Sequence, residues 1–131
     1  RVKGAVGYVE YAYVKKNNMT FLQVQNAAGK YVAPDDLTFA AAAAGADWFS
    51  VPGMGVSMVN AKGNDSWPIS TASFILMYKQ PSDKTASAEA IKFFDWAFAH
   101  GKKMAEELDY VALPDSLTAQ IRAKVWSQIQ K

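Results

Sequence analysis

The sequence predicts a mixed α/β fold divided between two lobes. Short runs rich in Val, Tyr, Phe and Leu and bounded by turn residues read as strands, and longer runs with helical periodicity stand among them. The division rests on a third observation. Residues 48–65 lose all periodicity and form a long connection of glycines, prolines and small polar residues in mid-chain.

Gly7 to Val14, "GYVEYAYV", is dense in Val and Tyr between glycines and "KKNN", which predicts a strand. Phe21 to Gln25 predicts a second strand, and "NAAGK" after it a turn. Pro34-Asp35-Asp36 opens an alanine run that Gly45 closes, so a helix is expected over about residues 36–44. After the connection, "DSWPISTASFILMYK" (65–79) begins small and polar and turns apolar from Phe74 to Tyr78. A strand that is polar where it crosses between lobes and apolar where it is buried has this pattern. Apolar residues at helical spacing then predict a helix over 86–107, and Leu117, Ile121, Val125 and Ile129 predict an amphipathic helix over about 115–129. These two helices are expected to pack on the 74–78 strand and to bury Phe94, Phe98, Leu117 and Ile121.

The chain has 131 residues, half of them apolar and a fifth charged, with a formal net charge of +2. That is enough apolar matter for one core, and so small a charge gives no reason to expect nucleic acid as a partner. No stretch approaches the roughly 18 apolar residues of a membrane helix. With no cysteine, disulfides, thiol catalysis and zinc–thiolate sites are excluded. The chain starts at Arg1 and reaches strand-like residues almost at once, so it reads as a piece of something longer.

Residues with chemistry are sparse. His100 is the only histidine and reads as a surface or helix-end residue; Glu106, Glu107 and Asp109 read as a solvated face. No P-loop, dinucleotide fingerprint, nucleophile elbow or zinc-protease helix is present. Ser70, Thr71 and Ser73 could donate hydrogen bonds to an anion; alternatively they are small residues tolerated where a strand bends. "NAKGND" (60–65) lacks calcium-loop spacing and reads as a turn. Lys15, Lys16, Lys102 and Lys103 fall on a turn and a helix end, where only weak, screened attraction for anions is expected. Asn18-Met19-Thr20 and Asn64-Asp65-Ser66 match the glycosylation acceptor pattern.

Several blocks together resemble one family. "GAVGYVEYAYVKKNN" (4–18), "GADW" (45–48), "WPISTASFILMYK" (67–79), "IKFFDWAFAHGKKMAEELDYVALPDSL" (91–117) and "IRAKVW" (121–126) are similar, in order, to the C-terminal part of the periplasmic phosphate-binding proteins. These are the solute receptors of the high-affinity phosphate ABC transporters, the PstS family. The resemblance implies part of a two-lobed periplasmic-binding-protein fold of type II that closes on one phosphate ion. Residues 1–66 would be part of the second lobe; residues 67–131 would be the crossing strand and the C-terminal helices of the first. The implied partners are inorganic phosphate, the membrane permease of the transporter, and the missing N-terminal part of the same protein or another copy. The implied location is periplasmic, secreted or cell-surface, with no cofactor and no enzymatic activity.

The family's phosphate ligands include an Asp that accepts the phosphate proton and an Arg in an Arg…Ser-Gly-Thr segment. They lie upstream of these residues. There is no Ser-Gly-Thr here, and the only arginines, Arg1 and Arg122, stand outside such a motif. No ligand residue is therefore carried over, and Ser70, Thr71 and Ser73 remain the candidates to inspect. Competing readings are a receptor for another oxyanion such as sulfate or molybdate, a secreted phosphatase relative, and an adhesive or structural module.

Overall fold

The computed structural model describes residues 2–130. In order, it comprises helix α1 (Tyr11–Lys16), strands β1 (Val24–Gln25) and β2 (Tyr31–Val32), and helix α2 (Asp36–Gly45). A 3₁₀ turn (Pro52–Met54), helices α3 (Lys84–His100), α4 (Lys102–Glu107) and α5 (Asp115–Lys124), and a second 3₁₀ turn (Trp126–Gln128) follow. The strands pair antiparallel, Val24 opposite Val32 and Gln25 opposite Tyr31.

Helix α2 forms where expected because its start is doubly capped. The Asp35 carboxylate accepts from the Thr38 backbone N–H at 2.8 Å, and the Thr38 hydroxyl accepts from the Asp35 N–H at 3.1 Å. Its end is shaped by a close approach. A Cβ on Gly45 would run into the Lys62 carbonyl oxygen, so the helix can meet the 58–62 chain only with glycine there. That meeting makes the core: Ala42 and Ala43 of α2, Trp48, Met58 and Ala61, closed by Leu117 of α5. The Trp48 indole N–H is satisfied inside it by the Ala43 carbonyl at 2.7 Å.

Toward the C-terminus, Asp83 caps α3 by accepting from the Ala86 N–H at 2.9 Å. Arg122 of α5 joins α3 by donating to Asp95 at 2.6 Å, and the Phe98 ring of α3 stacks 5.4 Å from that of Trp126 in the second 3₁₀ turn. Leu117 is buried, and Phe94, Phe98 and Ile121 are half-buried.

Four expectations are corrected. Residues 7–14 are not a strand: the stretch is exposed up to Glu10 and then turns into α1. β-propensity expresses fit to a neighbouring strand, and with none alongside, local helical bonds satisfy the backbone. The second strand shrinks to Val24–Gln25, as long as its two-residue partner. Residues 74–78 run without a ladder partner, with Phe74, Ile75, Leu76 and Tyr78 exposed, so the C-terminal helices do not pack on a strand; Leu117 turns to α2 instead. The 86–107 helix divides at Gly101, and the last helix ends at Lys124 before tightening into a 3₁₀ turn.

Candidate functional site

Ser70, Thr71 and Ser73 do not converge. The Ser70 hydroxyl donates to the Trp67 carbonyl three residues back at 3.1 Å, a local turn bond. Thr71 and Ser73 are exposed to solvent. The candidate cations are dispersed, and four of them stand beside carboxylates. Lys15 contacts Asp109 at 2.5 Å, Lys102 and Lys103 stand 4.0 and 3.9 Å from Glu106 and Glu107, and Arg122 is held by Asp95. Lys16 is exposed at the end of α1, and Arg1 lies outside the described residues. His100 ends α3 with its ring 5.7 Å from that of Trp96. Among the described residues no group of three or more His, Asp or Glu side chains could hold a metal ion.

A cleft of about 230 Å³ opens between the end of α2 and the start of α5, lined by Ala43, Asp47, Trp48, Pro114, Leu117 and Gln120. Asp47 on its wall puts negative charge where an anion would have to sit.

The densest polar centre is Asn26, which sequence reasoning read only as part of a turn. Its side-chain oxygen accepts from the Ala28 and Lys30 N–H groups at 3.0 and 3.1 Å. Its amide nitrogen faces the carbonyls of Gly63, Asn64 and Ser66 at 3.4, 2.7 and 3.3 Å. The local half was legible, since an asparagine opening a turn bonds its own backbone two residues on. The bonds to residues 63–66 come from tertiary placement and leave no local signal.

A second tie joins the region of α1 to the turn after α4. Asp109 beside Lys15 holds the ammonium pKa above its usual value, and a hydrogen bond to the Glu10 carboxylate raises that of the Tyr110 phenol. Together they fasten α1 to the turn after α4.

No family model matches the chain. Curated relatives do. The phosphate-binding protein PstS of Pasteurella multocida is 44% identical over 130 residues, covering 99% of this chain and 38% of that protein. PstS of Haemophilus influenzae is 40% identical across 100% of this chain and 39% of its own length. Over its whole length, the chain is similar to part of the PstS phosphate-binding proteins. PstS of Xylella fastidiosa (strain 9a5c) adds 45% identity over 94% of the chain and 34% of that protein. The chain thus spans under two-fifths of the length of these PstS relatives.

Proposed function

We propose that the chain is the C-terminal portion of a solute-binding receptor that captures inorganic phosphate in the periplasm and delivers it to the permease of an ABC transporter. The observation that carries this reading is the similarity, over 99% and 100% of the chain, to two proteins named phosphate-binding protein PstS. In this reading the chain contributes structure rather than ligands. Residues 1–66 are part of one lobe, residues 67–131 cross into the other, and the phosphate contacts come from the remainder of the receptor. The dispersed, carboxylate-paired cations and the turn-bonded Ser70 support that assignment. So do the many exposed apolar side chains, among them Tyr8, Leu37 and Leu76, which await cover from the rest of the receptor or from another copy. The protein acts by binding, not by catalysis. No helix among the described residues is long and apolar enough to cross a membrane.

Selectivity in such a receptor follows from simple chemistry. A carboxylate that accepts a proton from the ligand favours an anion that still carries one. Phosphate does near neutral pH and sulfate does not. Calorimetric titration of the whole receptor should give tight, saturable phosphate binding and little response to sulfate, whereas residues 1–131 alone should bind neither. Saturable phosphate binding by residues 1–131 would return attention to Ser70, Thr71 and Ser73. A receptor preferring sulfate or molybdate would replace the ligand and keep the fold.

A further inference from the structure

The chain changes character at one peptide bond. At Trp67 and Pro68 the backbone is held at two points: Asn60 N–H donates to the Pro68 carbonyl at 2.8 Å, and Trp67 N–H donates to the Thr38 carbonyl at 3.0 Å. Ser66, Trp67 and Pro68 are buried. From Ile69 to the start of α3 the chain has no regular secondary structure and is largely exposed. The last held residues therefore fix the direction in which the segment departs.

Asn26 sits behind that root. The 62–66 turn is tight: Gly63 has φ of +133°, a Cβ there would collide with the Ser66 hydroxyl, and that hydroxyl is committed to the Lys62 carbonyl at 2.9 Å. The turn aims three carbonyls at one point, and the Asn26 amide nitrogen occupies it. A carboxamide is suited to the place because it accepts from the hairpin with one end and donates to the turn with the other. The residue is 6% exposed, so its bonds are largely shielded from water.

We propose that Asn26 is a positioning residue: it clamps the root of the crossing segment, so that phosphate affinity depends on it although it does not touch the ligand. The proposal rests on the phosphate-receptor reading. If residues 67–73 pass between the lobes, a root that can swivel broadens the range of lobe orientations and lowers the fraction competent to bind.

Asn26→Asp in the whole receptor separates the two halves of the amide. The carboxylate still accepts from Ala28 and Lys30 but now faces the Gly63, Asn64 and Ser66 carbonyls with an oxygen. Hydrogen exchange should quicken at residues 63–67 and stay slow at Ala28 and Lys30, and phosphate affinity should fall on the order of tenfold. Unchanged affinity with a lower melting temperature would reduce Asn26 to a structural role and overturn the proposal; so would unchanged exchange at Trp67. If the variant does not fold, the unmodified receptor decides. Adding phosphate should alter exchange at residues 69–73 and leave 63–67 as they were, and an equal change in both would overturn the clamp. A receptor that shows no phosphate binding sinks the functional reading, while exchange at 63–67 in Asn26→Asp still decides whether the clamp exists.

Discussion

Residues 24–68 and 69–80 are neighbours in sequence and opposites in packing. The first stretch holds a hairpin, an alanine helix and an irregular loop, yet it contains Val32, Ala42, Ala43, Trp48, Met58, Ala61 and Trp67, all buried. The second contains "FILMY", the most strand-like apolar run in the chain, and buries none of it; Leu76 is 92% exposed. Apolarity marks where burial is needed, but burial requires a surface to pack on. Residues 24–68 bring their own: a capped helix, a glycine that admits the 58–62 chain, and the Asn26 bonds that close hairpin on loop. Residues 69–80 bring one strand's worth of backbone and no partner. The segment makes contact mainly at its ends and middle. Ser70 turns back on Trp67, the Gln130 N–H donates to the Lys79 carbonyl at 2.9 Å, and the Phe74 ring tilts 6.4 Å from that of Trp48.

The strongest way to break this contrast is a pair of substitutions. Trp48→Ala should cost about 3–5 kcal/mol of stability, because it empties the centre of the core and leaves the Ala43 carbonyl without its donor. Leu76→Ala should change the stability of residues 1–131 by less than about 0.5 kcal/mol, as for an exposed side chain. In the whole receptor the same change should cost about 2–5 kcal/mol if the segment is covered there. Urea unfolding of both proteins measures all of these. An equal, small effect of Leu76→Ala in both would mean that the segment is a surface strap and not a strand awaiting neighbours.

A smaller effect tests whether residues 24–68 depend on their own local signals. Asp35→Ala removes the acceptor for the Thr38 N–H and should cost about 1 kcal/mol, read as a lower urea midpoint with unchanged slope. No loss would mean that tertiary packing alone holds the start of α2.

The smallest effect concerns the clasp between Lys15 and Asp109. Asp109→Asn keeps a residue tolerant of the positive φ of 62° found there and removes the charge. The Lys15 pKa should then fall back toward 10.5, which a proton NMR titration of its side chain reads directly. Because the folded-state pKa is raised, the clasp's contribution is present below pH 10.5 and is lost as pH climbs through the folded value. A Lys15 titration indifferent to Asp109→Asn would show that the pair does not persist in water.

Much of the chain was legible before any fold was known. Helix α2 was readable because its signals are all local: Asp35 before it, alanines within it, Gly45 at its end. The starts of α3 and α5 were readable for the same reason, as was the structureless stretch from Trp48 to Asp65, apart from its short 3₁₀ turn. Strands were the failure. "GYVEYAYV" has the composition of a strand and, without one beside it, is exposed chain leading into α1. A ladder needs a second strand, and no stretch of sequence reveals whether it has one. The candidate site divides in the same way. The family resemblance, and with it the expectation that no phosphate ligand lies in these residues, came from blocks of sequence. The fivefold bonding of Asn26 did not, because three of its partners lie 37 to 40 residues away.

By itself, then, the sequence determined what depends on neighbours along the chain: caps, helix stops, the turn at "NAAGK", and kinship. Only the tertiary structure decided that Leu117 packs on α2 rather than on residues 74–78, that Gly45 is needed for the passage of Lys62, and that Asn26 ties the hairpin to the 63–66 turn. The physical reason is range. Capping and turn bonds form between residues a few positions apart, whereas burial and buried hydrogen bonds depend on which distant surfaces meet, and that is set by the whole chain at once.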